Sequence, residues 1–339
     1  MRSKSKVSGH TKFIRAKTGE GFELPVIDIA NPRFAVDDDP HALDALREVF
    51  FASERRRHLV PKFLMRMMLR SAARKSRLMR ALFYAQAGFL DGITTYVMKL
   101  GADNLLPPFD RPIDRRLAAS PHVLLLRLRL QQTAGLIARG VLPNLTAEMT
   151  APLFLINIGG GPALDSINAL ILLNRQQPEV VRRRIDIHVF DSSGDAATFG
   201  INALAALQCD DGPLRGLNIG MEYHRYDWNV PAELERLVKA LASAHTITAA
   251  SSEGALFEYG TDEAIVTNLK VLRAVPGLVL VAGSVTAADE TRRRMIAESR
   301  FKLIPRGILG FEPLAEKGGF RLAAVEPAFL SDQVLLLPA

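Results

Sequence analysis

The chain has 339 residues, 48% of them hydrophobic and 23% charged, with one cysteine and a formal net charge of +7. This composition supports a sizeable core and excludes a disordered chain, a disulfide framework and a cysteine-rich zinc site. No apolar run reaches the roughly 18 residues that span a bilayer, and Met1-Arg-Ser-Lys-Ser-Lys is not followed by the apolar stretch of a signal peptide. A cytoplasmic protein is therefore expected.

The charge is unevenly placed. Residues 1–150 hold 25 Lys and Arg against 14 Asp and Glu, a balance of +11, whereas the remainder holds 18 against 22, a balance of −4. Residues 1–25 are polar and basic and read as a flexible tail. Val26–Ile29 reads as a short strand. From Pro40 to about Gly140 the pattern is helical: Leu43, Leu46, Val49 and Phe50 recur at three- and four-residue spacing, the mark of one buried face. Leu64, Met67, Met68, Leu78, Leu82 and Phe83 continue that face, and Pro61 suits the first turn of a new helix. Arg55-Arg56-Arg57 and the stretch Lys62–Arg80 are densely basic. They suit nucleic acid, an acidic partner or anionic lipid, but a solvated face with Met and Leu turned to a core is the plainer expectation. Leu105-Leu106-Pro107-Pro108 breaks the helical pattern and His122–Ala138 resumes it.

After Pro152 short apolar runs alternate with helical stretches. The runs are Leu153–Ile158, Ile185–Phe190, Leu217–Tyr223, Thr246–Ala250, Leu278–Ala282, Phe320–Val325 and Gln333–Leu337. Helices over Leu164–Asn174, Ala232–Ala242 and Thr261–Ala274 lie between the earlier runs. This grammar predicts a mostly parallel α/β sheet covered on both faces. The last two runs have no long helix between them and are expected to pair antiparallel at one edge, giving seven strands. The expected division is a tail at 1–25, a mainly helical lid or acceptor region at 26–150, and an α/β domain at 151–339.

The strongest chemical signal is Leu153-Phe-Leu-Ile-Asn-Ile-Gly-Gly-Gly-Pro-Ala-Leu-Asp165, a strand running through three glycines into a helix. Glycine lets the backbone turn sharply and approach a ligand. The helix start offers free N–H groups, and the carboxyl end of such a strand is where open α/β sheets bind ligands. A dinucleotide fingerprint would need a third glycine where Leu164 stands, which disfavours a NAD-dependent oxidoreductase. A P-loop would need a Lys that is absent. An adenosyl ligand without a phosphate remains.

At these residues the sequence resembles the class I S-adenosylmethionine-dependent methyltransferases, whose first motif is an acid followed by Gly-x-Gly-x-Gly. Here it reads Asn157, Gly159, Gly160, Gly161 and Ala163, with Asn in place of the acid and Ala in place of the third glycine. The resemblance implies a Rossmann-like seven-stranded methyltransferase sheet with an antiparallel last strand, and S-adenosyl-L-methionine as cofactor. It implies that Asn157 hydrogen-bonds the methionine amino group, directly or through water. It implies that Asp191, ending Ile185-Asp-Ile-His-Val-Phe-Asp191 and followed by Ser192, accepts from the ribose hydroxyls. It also implies that Asp227 meets the adenine amino group, with Trp228 stacked on the ring or packed in the core. Glu253-Gly254 with Leu256 and Tyr259 is similar to the leucine carboxyl and polyketide O-methyltransferase branch. Glu253 is expected to position rather than to accept a proton, with Ser251 and Ser252 beside it as hydrogen-bonding groups and Ser252 expected to contact the cofactor.

The expected reaction is methyl transfer to an oxygen of a small molecule. Tyr84, Phe89 and Tyr96 are lid candidates on that reading, with core packing the plainer role for any one of them. The alternatives are an RNA-binding methyltransferase using the basic helices and a catalytically inactive scaffold, the latter motivated by Asn157 and Ala163. Against RNA, the basic residues are not interleaved with stacking aromatics. The seven histidines show no metal-ligand spacing, and Cys209 beside Asp210 and Asp211 is no nucleophile.

Overall fold

The computed structural model describes residues 13–58, 61–84 and 88–339. It begins with an antiparallel hairpin, β1 (Arg15–Lys17) and β2 (Glu23–Pro25), in which Ala16 pairs with Leu24. Six helices follow: α1 (Pro40–His58), α2 (Lys62–Lys75), α3 (Arg77–Phe83), α4 (Gly92–Lys99), α5 (Pro112–Ala118) and the 27-residue α6 (Pro121–Ala147). The remainder runs β3 (Leu153–Ile158), α7 (Leu164–Gln176), β4 (Ile185–Asp191), α8 (Gly194–Leu207), β5 (Ile219–Arg225), α9 (Ala232–Leu241) and β6 (Ile247–Ser252). It continues through α10 (Leu256–Tyr259), α11 (Asp262–Arg273), β7 (Leu278–Thr286), α12 (Glu290–Glu298), α13 (Gly307–Lys317), β8 (Phe320–Glu326) and β9 (Ser331–Pro338).

The seven-stranded sheet has the order β5-β4-β3-β6-β7-β9-β8. β3 to β7 are mutually parallel, and β9 runs antiparallel to both β7 and β8. This is the expected sheet, with the last strand inserted next to β7. The chain goes from β3 outward to β5, then returns to the other side of β3 as β6. The change of direction opens a crevice at the carboxyl ends of β3 and β6, where open sheets bind ligands. All six residues of β3 and of β6 are buried, as apolar runs at the centre of a doubly covered sheet should be.

The N-terminal region differs from expectation in two ways. Residues 1–12 of the expected tail lie outside the described residues, but 13–25 are folded. Ala16 and Leu24 are buried, and the strand predicted at Val26–Ile29 lies three residues earlier. Val26–Ile29 is instead an irregular buried segment. The Ile27 N–H donates to Tyr96 Oη (3.1 Å) and the Ile29 N–H to Asn168 Oδ1 (2.9 Å). Tyr96 is thus packed in the core, the plainer of the two roles expected of it.

The second difference is α2. Leu78 of α3 is buried, but Phe63, Met67 and Met68 are 71%, 61% and 60% exposed, so the expected core face of α2 faces outward. By contrast α6 is threaded through the interior. Leu130, Ala134, Ile137 and Val141 share one apolar core with Leu155, Ile167, Val189 and Leu280, so the core runs across residue 150 without a break.

Candidate active site

The glycine loop leaves β3 with Gly159 at φ +66°, Gly161 at φ +55° and Ala163 at φ +53°. The left-handed region is costly for residues with a Cβ, which accounts for the two glycines. A Cβ on Gly159 would sit 2.5 Å from Ala255 Cβ and 3.2 Å from the Trp228 ring. A Cβ on Gly160 would overlap Asn157 Oδ1. The loop therefore lies flat on its surroundings, with its upper side toward the crevice.

Asp191 at the end of β4 ties this loop down. Its Oδ2 accepts from the Gly161 N–H (2.9 Å) and its Oδ1 from the Ser193 N–H (3.0 Å). A carboxylate has about four lone-pair positions, so two remain for a ligand. At the end of β5, Asp227 Oδ1 accepts from the backbone and side-chain amides of Asn229 (2.9 and 2.8 Å). Trp228, half-buried, lies against Gly159, and its carbonyl accepts from Asn268 Nδ2 (2.8 Å). Gly159, Gly160, Gly161, Asp191, Ser192, Asp227 and Trp228 all line one wall of a single cavity of about 1380 Å³.

Two of the expected ligand-binding residues do not line it. Asn157 is fully buried beneath the loop. Its Nδ2 donates to Asp165 Oδ1 (2.6 Å) and Ser251 Oγ (3.1 Å), so it braces the loop from below. Ser252 is consumed in the same way: its Oγ donates to the Ile158 carbonyl and accepts from the Leu256 N–H, both at 2.9 Å. Both lie on the floor of the site because inward-facing positions of central strands are covered by α7 and α10.

Glu253 does line the cavity, inside a buried network of charges. It pairs with Lys99 from α4 and with Arg129 from α6, and Arg129 also reaches Glu258 of α10 (3.2 Å). All four side chains are nearly or fully buried. Burial opposes ionisation of Glu253, but Arg129 and Lys99 outweigh it and hold the carboxyl at about 2. Burial pulls the Lys99 ammonium down, against the attraction of Glu253. Burial, with Glu253 nearby, pushes Asp165 up. A carboxylate this acidic is a poor proton acceptor near neutrality, so Glu253 acts as an electrostatic anchor.

Arg292 of α12 lines the same cavity beside Glu258 and Tyr259. Burial works against its charge, and its Nε is buried without a hydrogen-bond partner. The outer chamber is apolar: Leu82, Phe89, Leu126, Met295, Ile296 and Leu330 line it. Tyr84 and Phe89 stand at its exposed rim. His122 also lines it, with Nε2 3.1 Å from Glu54 Oε1.

Lys99, Arg129, Glu258 and Arg292 were not singled out by the sequence. The available signal was a charge inside an otherwise apolar helix, as at Lys99 after Tyr96-Val97-Met98 and at Arg129 within α6. The histidines also look different in three dimensions. The β4–β5 register places His188 opposite Glu222, and His188 Nδ1 lies 3.0 Å from His224 Nε2, so residues far apart in sequence form one cluster. The Glu222 oxygens are 3.8 and 4.0 Å from these nitrogens.

No family model matches the chain, and no curated protein matches it. Solved structures show distant similarity. A magnesium protoporphyrin IX methyltransferase from Synechocystis PCC 6803, with bound S-adenosylhomocysteine, aligns over 64% of this chain and 87% of its own at 13% identity, with a TM-score of 0.41. A methyltransferase of calicheamicin biosynthesis, also with S-adenosylhomocysteine bound, aligns over 68% and 60% at 15% identity, TM-score 0.38. An aminoriboflavin dimethyltransferase from Streptomyces davawensis aligns over 78% and 70% at 13% identity, TM-score 0.39. Likenesses of this degree assign no residue, substrate or reaction to this chain.

Proposed function

We propose that the chain is an S-adenosyl-L-methionine-dependent methyltransferase acting on an oxygen of a small, largely apolar molecule. The observation that carries this reading is the shape of the cavity. One wall carries Gly159–Gly161, Asp191 and Asp227–Trp228, in the order and at the strand ends that the resemblance implies. The other is an apolar chamber. At about 1380 Å³ the cavity exceeds the roughly 300–1,000 Å³ that takes one ligand, so cofactor and acceptor fit side by side.

The residues present suit the cofactor. The cradle at Gly159 has no room for a Cβ, and Asp191 keeps lone pairs free beside it for the ribose hydroxyls. Asp227 would accept from the adenine amino group, and Trp228, on the same wall, would lie beside the ring. When bound, the sulfonium supplies an activated methyl group for displacement. The chain's own contribution is alignment and exclusion of water. Glu253 fixes Lys99 and Arg129 at the junction of the two compartments and is a positioning residue. Arg292 offers hydrogen bonds to an oxygen of the acceptor. On this reading residues 26–150 act as lid and acceptor region over the cofactor domain at 151–339, and the protein works in the cytoplasm. No helix among the described residues is long and apolar enough to cross a membrane.

Calorimetric titration with S-adenosylhomocysteine, with NAD+ in parallel, tests the reading. Micromolar binding of the first alone is expected. Binding of NAD+ instead would establish the oxidoreductase alternative. Binding of neither to folded protein would overturn the reading, pointing to an inactive scaffold or to a site completed only by a partner.

A further inference from the structure

Between residues 55 and 90 the sequence has ten Lys and Arg and no Asp or Glu. This span contains α2, where Phe63, Met67 and Met68 face solvent. Phe63 and Met67 are four residues apart, as are Leu64 and Met68, so these four form one patch on the first two turns. Phe63, Met67 and Met68 are each more than 60% exposed or close to it, while the buried side of the helix is carried by Ala73. Arg66 and Arg70 flank the patch, and Arg74 and Lys75 extend the basic surface in the last turn. α2 packs chiefly against α3. An exposed apolar patch rimmed by cations is the pattern of a helix that lies in a membrane interface.

We propose that α2, with the basic ends of the helices flanking it, is a peripheral docking surface for a membrane containing anionic lipid. Two other occupants fit less well. A second copy of this chain would set the cations of α2 against each other, with no acid between residues 55 and 90 to pair with them. RNA would use the cations, but Phe63 alone of the four apolar side chains offers bases a stacking face, where single-strand binders array several. The location adds weight. α3 continues directly from α2, and its Ala81 and Leu82, with Tyr84 just after it, line the cavity. The chamber rim at Tyr84 and Phe89 therefore lies next to the docking helix. If the proposed function holds, an apolar acceptor dissolved in lipid reaches the chamber without crossing bulk water. The docking itself does not depend on that reading.

The test is co-sedimentation of the full chain with vesicles of phosphatidylcholine alone and of phosphatidylcholine mixed with phosphatidylglycerol, at two salt concentrations. Binding to the mixed vesicles, weakened by salt, is expected. Arg66→Gln, Arg70→Gln and Arg74→Gln together should lower affinity about a hundredfold, since each cation near an anionic leaflet contributes several-fold. Phe63→Ser, Met67→Ser and Met68→Ser together should abolish binding with the unfolding midpoint unchanged, because all three are exposed. Poly(U) serves as competitor. No binding to mixed vesicles overturns the proposal. So does displacement by poly(U) together with unimpaired vesicle binding of the apolar triple variant, which would make this a nucleic-acid surface.

Discussion

Asp191 carries two jobs with one carboxylate: it accepts from Gly161 and Ser193, and it keeps lone pairs for a ligand. Asp191→Ala should weaken S-adenosylhomocysteine binding about tenfold or more, because two hydrogen bonds of about 0.5–1.5 kcal/mol each are removed. Unchanged affinity by calorimetry would contradict the ribose assignment. Glu253 governs a pH response. Its carboxyl lies at about 2 in the folded chain against 4.5 ordinarily, so its stabilising contribution is complete above pH 4.5 and disappears as pH falls toward 2. Glu253→Gln should be about 3 kcal/mol less stable than the parent at pH 7, as expected when a buried pair loses one partner. Urea midpoints should also fall less steeply for the variant between pH 4.5 and 2. Parallel curves for the two proteins would show that Glu253 is not the group responsible. The buried Lys99, Arg129 and Glu258 that surround it were not legible from sequence, since partners between 124 and 154 residues apart leave no local pattern.

At the scale of elements, β3 was legible because both of its faces are buried, which makes it a nearly continuous apolar run, whereas the outer strands β5 and β8 bury alternate residues and were legible from shorter apolar stretches. β3 and β4 begin where the pattern placed them, and β5 begins two residues later than expected because Leu217 and Asn218 belong to the preceding turn. The hairpin β1–β2 was missed because its two three-residue strands bury only Ala16, Leu24 and Pro25, too few to show a period. α2 was misjudged because amphipathic spacing reports that a helix has an apolar face, not what covers it. The glycine loop was legible as a unit, and it yields a test. Gly159→Ala combines a positive φ with a clash against Ala255. A cost of about 1–2 kcal/mol from the backbone alone is expected in thermal unfolding, with loss of S-adenosylhomocysteine binding. Full retention of binding would show that the loop does not approach the ligand.

For the molecule as a whole, the change of grammar near residue 150 marks a change in architecture within a continuous core. α6 covers α7, β7 and β9 from the N-terminal side, with Leu130, Ala134, Ile137 and Val141 buried. A fragment of residues 151–339 should therefore expose that face, bind a hydrophobic dye and lose cooperative unfolding. Cooperative unfolding at the parent's midpoint would contradict the shared core. The same arrangement explains how one cavity acquires two kinds of wall: the sheet ends supply the polar side, and α3, α4, α6 and α12 supply the apolar one.

The central claim is that the crevice above Gly159 holds an adenosyl ligand. Trp228, the single tryptophan of the chain, lies on the wall of that crevice against Gly159. Its emission therefore reports on this one place. Titration with S-adenosylhomocysteine should change Trp228 fluorescence saturably, in the micromolar range and with the same affinity as calorimetry, while NAD+ leaves it unchanged. Heat of binding without any change in Trp228 emission would place the ligand elsewhere and contradict the account.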